Sequence, residues 1–226
     1  MSHKAEAESS ASAALNPREA REAKLKKLAE KGLQAYPHKF DRTHQAQELQ
    51  GKYESLESGT ETEDKVAVAG RIMAMRNNGM FLDLMDASGK IQVFCHKDSM
   101  SQEELEKLEM FDIGDIVGGK GTIRRTPRGE LSVRATEVTM LTKTMLPLPE
   151  KYHGLTDVEQ RYRQRYLDLI MNDDSRNVLR TRSRIVSFIR NYMEDMGALE
   201  VETPIFHSIM GGATAKPFVT HHNSLD

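Results

Sequence analysis

Four side chains in the middle of the chain, Arg76, Phe81, Gln92 and Glu130, have the chemistry needed to read an unpaired nucleobase. A phenyl ring stacks on any base, and each such stack contributes ~1–3 kcal/mol. A carboxamide offers a donor and an acceptor to a base edge, a guanidinium lies flat on a base or pairs with phosphate, and a carboxylate accepts from an amino or imino group. None of the four is diagnostic alone, since an outward phenylalanine is as often covered by a loop. Together they could specify a sequence, provided one surface presents them side by side.

Strand alternation determines whether such a surface exists. Val66, Val68 and Ile72 predict one strand, Met80, Leu82 and Leu84 a second, and Ile91, Val93 and Cys95 a third. The turn Asp86-Ala87-Ser88-Gly89 joins the second and third as a hairpin. If Met80, Leu82 and Leu84 point inward, Phe81 and Asp83 point outward; if Ile91 and Val93 point inward, Gln92 and Phe94 do not. Ser101-Gln102-Glu103-Glu104 forms a capping box that opens a short helix, with Leu105 and Leu108 on one side. Two more strands, over about residues 115–124 and 130–141, are joined by Thr126-Pro127-Arg128-Gly129, and Gly118, Gly119 and Gly121 mark bends of the kind that close small barrels. Three strands, a helix and two strands over roughly 80 residues predict an OB-fold, a five-stranded Greek-key barrel, though other small barrels fit the same order. An OB-fold binds oligonucleotides across its second and third strands, where Phe81 and Gln92 fall.

The flanks read as helical. Asn16-Pro17-Arg18-Glu19 is an N-cap, N1 proline and N3 glutamate, and Gly32 is a stop, so a helix is predicted over residues 17–31. Arg18, Arg21, Lys24, Lys26, Lys27 and Lys31 make it basic, either as a solvated face or as a phosphate-contacting one. A polar linker is expected up to Asp64. Beyond Pro147 and Pro149, Thr156-Asp157-Val158-Glu159 reads as a capping box opening a helix that carries Tyr162, Tyr166 and Leu169. A longer helix over residues 175–196 places Val178, Ile185, Ile189, Tyr192 and Met196 on one face, with Gly197 as its stop. Leu199 and Val201 alternate with Glu200 and Glu202, a strand ended by Pro204.

Composition restricts the classes of function. The chain has 226 residues, 38% hydrophobic and 29% charged, and no stretch approaches the ~20 apolar residues of a membrane-spanning helix. A single cysteine, Cys95, excludes an internal disulfide framework and fits a reducing compartment. The first residues have no apolar core and carry Glu6 and Glu8, unlike a secretory or transit peptide, so a disordered tail and a cytoplasmic location are expected. A formal net charge of −2 gives no global attraction to nucleic acid, so any binding must come from local contacts. His221 and His222 are adjacent, point to opposite faces of an extended chain and have no third ligand at suitable spacing, so no metal site is expected.

Arg161-Tyr162-Arg163-Gln164-Arg165-Tyr166-Leu167-Asp168-Leu169, the long helix and then Gly197-Ala198-Leu199-Glu200-Val201-Glu202-Thr203-Pro204 resemble motif 1 of the class II aminoacyl-tRNA synthetases and its lead-in. A preceding barrel is similar to the subclass of lysine, aspartate and asparagine enzymes. His153-Gly154-Leu155 and the run Gly211-Gly212-Ala213-Thr214-Ala215-Lys216-Pro217-Phe218, with His221-His222-Asn223, favour the lysine–tRNA ligases.

The resemblance implies an α+β chain. A disordered tail would occupy residues 1–15, a helix and linker 16–62, an anticodon-binding OB-fold 63–145, and the start of an antiparallel-sheet catalytic domain 146–226. It implies that Arg76, Phe81, Gln92 and Glu130 hold the anticodon-reading positions, that Gly211, Gly212 and Ala213 line a lysine pocket, and that motif 1 forms a homodimer interface around Pro204. The implied partners are tRNA(Lys), lysine and ATP, with Mg2+ as the metal. The catalytic motifs 2 and 3 of the family are not in this sequence, so no catalytic residue is expected in it, and the chain reads as an N-terminal portion, inactive by itself. Two alternatives stay open: a stand-alone single-strand-binding OB protein, and an aspartate or asparagine ligase of the same subclass.

Overall fold

Alternating apolar residues build the first of two units, Met1–Glu150, around five strands: β1 (Glu61–Arg76), β2 (Phe81–Met85), β3 (Lys90–Phe94), β4 (Ile116–Arg125) and β5 (Leu131–Thr142). The computed structural model describes residues 16–149 and 155–204, with positions 216, 220, 221, 223 and 224. The strands close in the order β1-β2-β3-β5-β4, with β3 and β5 parallel and the other pairs antiparallel. Helix α3 (Gln102–Lys107) lies between β3 and β4 in sequence, as the expected OB-fold requires. Val68, Ile72, Leu82, Leu84, Val93, Val117, Ile123 and Val133 fill the interior with at most 1% exposure each. Every such side chain contributes ~1.5–3 kcal/mol of hydrophobic stabilisation.

The long β1 pairs with β4 along its first half and β2 along its second, with a register shift between Ile72 and Ala74. Two glycines permit the tightest approaches. A Cβ on Gly121 would stand 1.9 Å from the Arg134 carbonyl oxygen, and one on Gly118 would stand 2.4 Å from the Phe40 ring. Cys95 is buried, and burial pushes its thiol pKa up to about 12, which leaves it a small apolar filler.

Helix α1 (Pro17–Glu30) starts and stops where its capping residues predict: the Asn16 side chain accepts from the Arg18 amide, and Gly32 has φ +68°. The expected linker is more structured than its composition suggests. It contains α2 (Ala46–Lys52), whose first amides are met from outside the segment: Ala46 donates to Asp86 Oδ2 at 2.9 Å and Gln47 to Ser88 Oγ at 3.0 Å. Both acceptors belong to the β2–β3 turn, so the turn that makes the hairpin also caps the helix. Burial opposes the Asp86 charge, but the Ser88 hydroxyl and the amides of Ala46, Gly89 and Ser88 outweigh it and hold the pKa below the usual carboxylate value. At α3 only half of the expected capping box forms. Ser101 Oγ accepts from the Glu104 amide, while the Glu104 carboxylate accepts from the Val138 amide of β5.

The second unit, Lys151–Asp226, is helical over α4 (Val158–Arg163), α5 (Arg165–Met171) and α6 (Asp173–Asp195). The single helix expected to carry Tyr162, Tyr166 and Leu169 is broken at Gln164, which has φ −112° and ψ 53°. Asp168 explains the break. It is 1% exposed and accepts from Arg161 Nε at 3.0 Å and Arg165 Nη1 at 2.9 Å. Arg161 and Asp168 would be roughly 10 Å apart along the axis of an unbroken helix, beyond the reach of that bond. Arg161 also donates to Ser175 Oγ, tying α4 to α6. Burial opposes the Asp168 charge; Ser175, Arg161 and Arg165 overcome it and lower the pKa.

Asp157, not Thr156, caps α4, accepting from the Glu159 and Gln160 amides. Asn172 caps α6 and Gly197 stops it at φ +86°. The strand expected before Pro204 does not form among the described residues: 198–204 run without ladder pairing, and strand amides need a neighbouring strand to bond. No described helix is long and apolar enough to cross a membrane.

Candidate nucleic-acid interface

Register brings the candidate residues to one face of the barrel. Phe81 pairs with Phe94 and Asp83 with Gln92 across β2 and β3, while Arg76 of β1 pairs with Phe81. The parallel pairing of β3 with β5 adds Ser132 beside Gln92 and Arg134 beside Phe94, and β4 adds Arg124 opposite Ser132. Cross-strand partners share a face. Leu82 and Val93, one residue along from Phe81, Gln92 and Phe94, are 0% exposed in the core.

Arg76, Phe81, Gln92 and Glu130 all border a groove of about 840 Å³, which Asp83, Phe94 and Arg124 also line. That volume falls within the ~300–1,000 Å³ typical of ligand sites. Phe81, Phe94 and His96 make an aromatic ladder: the first two ring centroids are 5.0 Å apart and tilted by 34°, the second two 5.4 Å apart and stacked at 10°. The Arg124 guanidinium sits over the Phe94 ring, 4.7 Å from its centroid. One wall is the β1–β2 turn, where Asn77 and Asn78 take φ of +51° and +53° and Gly79 +90°. Asparagine tolerates this left-handed backbone better than most residues.

The polar groups are more constrained than their residue types suggest. Arg76 is forked onto Asp83, its terminal nitrogens 2.8 and 2.9 Å from the two carboxylate oxygens. Gln92 is only 7% exposed, so it lies at the floor of the groove, and its Oε1 accepts from the buried Ser132 hydroxyl at 2.8 Å. The amide therefore does not offer donor and acceptor alike, as its residue type alone would allow. Glu130 sits on the exposed rim: its backbone closes the β4–β5 turn with Thr126, and its carboxylate has no protein donor among the described residues.

Phe94, which alternation assigns to this face but not to the site, belongs to it, and Arg124, Arg128, Asn77 and Ser132 join it beyond the residues the sequence predicts. Alternation along β4 carries a signal for Arg124, since Ile123 faces inward at 0% exposure. Ser132 depends on the parallel β3–β5 pairing, for which the sequence has no local signal.

The remaining candidates belong to the second unit. Pro204 is exposed. Gly211, Gly212 and Ala213 lie outside the described residues, as do His153, Gly154 and His222. Among the described residues no group of three or more His, Cys, Asp or Glu side chains could hold a metal ion. Helix α6 exposes a long apolar face that includes Val178, Ile185, Phe188, Ile189 and Tyr192 and continues onto its C-cap, Met196.

The chain matches two family models. Residues 66–141 match the OB-fold nucleic acid binding domain, and residues 157–226 match the tRNA synthetases class II (D, K and N). It is 56% identical over 207 residues to a lysine–tRNA ligase of Rhizobium leguminosarum bv. trifolii, covering 92% of this chain and 42% of the relative. Lysine–tRNA ligases of Agrobacterium fabrum and Oceanobacillus iheyensis are 52% and 51% identical over 207 residues, covering 92% and 90% of this chain and 42% of each relative. The chain thus spans less than half the length of these relatives.

Proposed function

Because the chain belongs to the lysine–tRNA ligase family of class II synthetases, we propose that its barrel binds the anticodon of tRNA(Lys). Unstacked bases lie over Phe81 and Phe94 and are read by Gln92, Arg76 and Glu130. The observation that carries this reading is the register that sets Phe81 against Phe94 and Asp83 against Gln92, which gathers two rings and an amide on one open groove. Such sites bind unpaired nucleotides by stacking and select them by edge hydrogen bonds.

In the whole protein, the activity is ATP-dependent activation of lysine followed by its transfer to tRNA, in the cytoplasm and with Mg2+. No described group of side chains offers Mg2+ a site, so no chemical step is assigned to residues of this chain. Gly211, Gly212 and Ala213 are assigned to the lysine pocket. We assign the bare apolar face of α6 and the segment through Pro204 to a homodimer interface, since a face of this size on a 23-residue helix favours burial.

Titrating the chain with a lysine-anticodon stem-loop and with the same stem carrying a scrambled loop tests the proposal. Tighter binding of the first is expected. Equal binding of the two would reduce the barrel to a general single-strand binder. Dependence of tRNA charging on lysine rather than aspartate or asparagine tests the activity of the whole protein.

A further inference from the structure

Ser132 is 0% exposed and donates its hydroxyl to Gln92 Oε1 at 2.8 Å. Its backbone is fixed between two strands, paired with Gln92 of β3 and Arg124 of β4. A buried hydroxyl must place its hydrogen on an acceptor, and Oε1 is the one it reaches among the described residues.

The consequence falls on the other end of the amide. With Oε1 engaged, the Gln92 NH2 group faces the groove, where no described protein acceptor takes its hydrogens. A solvated glutamine presents donor or acceptor with similar ease, because half a turn about its last bond exchanges them. Here that half turn would bring NH2 to the Ser132 hydroxyl and leave the hydroxyl hydrogen without an acceptor in a closed site, which is unfavourable.

We propose that Ser132 is a positioning residue that locks Gln92 as a hydrogen-bond donor, so that this position of the groove selects a base with a carbonyl oxygen at pyrimidine position 4 or purine position 6, uracil or guanine, over one with an amino group there, cytosine or adenine. The inference rests on the anticodon-binding role proposed above. A carbonyl oxygen accepts from the NH2 group, whereas an exocyclic amino group opposes donor to donor. Discrimination of about tenfold or more is expected from one such mismatch.

The test uses the full chain and pairs of stem-loops that differ only in uridine or cytidine at one anticodon position, each of the three positions in turn, with binding read by fluorescence anisotropy. At the position that Gln92 reads, the wild type should prefer uridine by about tenfold or more. Ser132→Ala should lose most of that preference, chiefly by gaining affinity for the cytidine loop, because the amide is then free to turn. Gln92→Glu keeps the bond to Ser132 but turns an acceptor toward the groove, so its preference should reverse toward cytidine whatever its overall affinity. The proposal is overturned if Ser132→Ala keeps the wild-type ratio, if it weakens both loops by the same factor, or if Gln92→Glu still prefers uridine. A wild type that binds the scrambled loop as well as the anticodon loop rejects the anticodon role itself, and this inference with it. Discrimination by the wild type with no change in Ser132→Ala rejects only the inference.

Discussion

Both carboxylate oxygens of Asp83 accept from the terminal nitrogens of Arg76, at 2.8 and 2.9 Å, so the guanidinium is held as a planar fork across β1 and β2. In this pose Arg76 can present its plane or its remaining hydrogens to a base, but its charge is balanced by Asp83 and it does not act as a free cation for phosphate. Asp83→Asn should release it. The pair is partly exposed, and such pairs contribute only ~0.2–1 kcal/mol to stability, so the barrel should stay folded. The expected change is a steeper salt dependence of anticodon-loop affinity, by about 0.7 in log–log slope for one new phosphate contact on a single strand. An unaltered slope would show that Arg76 already contacts phosphate or contacts nothing.

Neighbouring residues on β2 should separate binding from folding. Phe81 borders the groove and Leu82 is 0% exposed in the core. Phe81→Ala should weaken anticodon-loop binding by ~1–3 kcal/mol through the lost stack while the melting temperature moves little. Leu82→Ala should do the opposite, destabilising the barrel by ~2–5 kcal/mol as a cavity opens without touching the binding face. Calorimetric titration and thermal melts of the two variants provide the comparison. Unchanged binding in Phe81→Ala would make that ring a structural cover.

How legible this site is in the sequence depends on the range of the interactions that build it. Phe81, Asp83, Gln92 and Phe94 are assigned to the outer face by period-two alternation alone, and the structure puts them there because side chains on a strand have no other choice. Whatever depends on a distant partner is hidden. The Gln92 amide looks versatile until Ser132, forty residues on, engages one end of it. Helix α2 has a local capping box in Gln45 and Glu48, but it looks like linker because its first two amides are met by Asp86 and Ser88 of another element. The break at Gln164 is invisible because periodicity registers Tyr162 and Tyr166 but not the buried ion cluster on Asp168. Motif 1 is recognised from residue identity rather than from periodicity, and its strand does not follow from the described residues.

The basic residues of α1 divide into two groups that the sequence treats as one. Arg21 donates to the carbonyl oxygens of Ile113, Thr144 and Leu146, and Lys24 bonds Asp112 at 2.7 Å, so both serve the junction of helix and barrel. Lys26 and Lys27 are exposed. Replacing Lys26 and Lys27 by Gln should flatten the salt dependence of tRNA affinity without lowering the melting temperature. Lys24→Met should lower the melting temperature and leave the slope near that of the wild type. The reverse pattern would place the RNA contact on the Lys24 side of the helix.

The junction held by Lys24 should also be acid-sensitive. Lys143 has a fully buried side chain between Asp112 Oδ2 at 2.5 Å and Asp115 Oδ2 at 2.8 Å, and Asp112 accepts from Lys24 as well. Burial alone would raise the Asp112 pKa; hydrogen bonds from Lys143 and then Lys24 outweigh it and hold the carboxyl below its ordinary value. A depressed folded pKa means that the unfolded chain takes up the proton first as pH falls. The stabilisation is therefore fully present above about pH 4, the ordinary aspartate range, and is lost as pH drops through that value toward the lower folded one. Melting temperature should therefore hold above about pH 4 and fall as pH drops below it. In Asp112→Asn, which is less stable at neutral pH because a buried ammonium loses one of its two anions, the fall should be shallower. An equally steep fall in the variant would mean that acid acts on the barrel elsewhere.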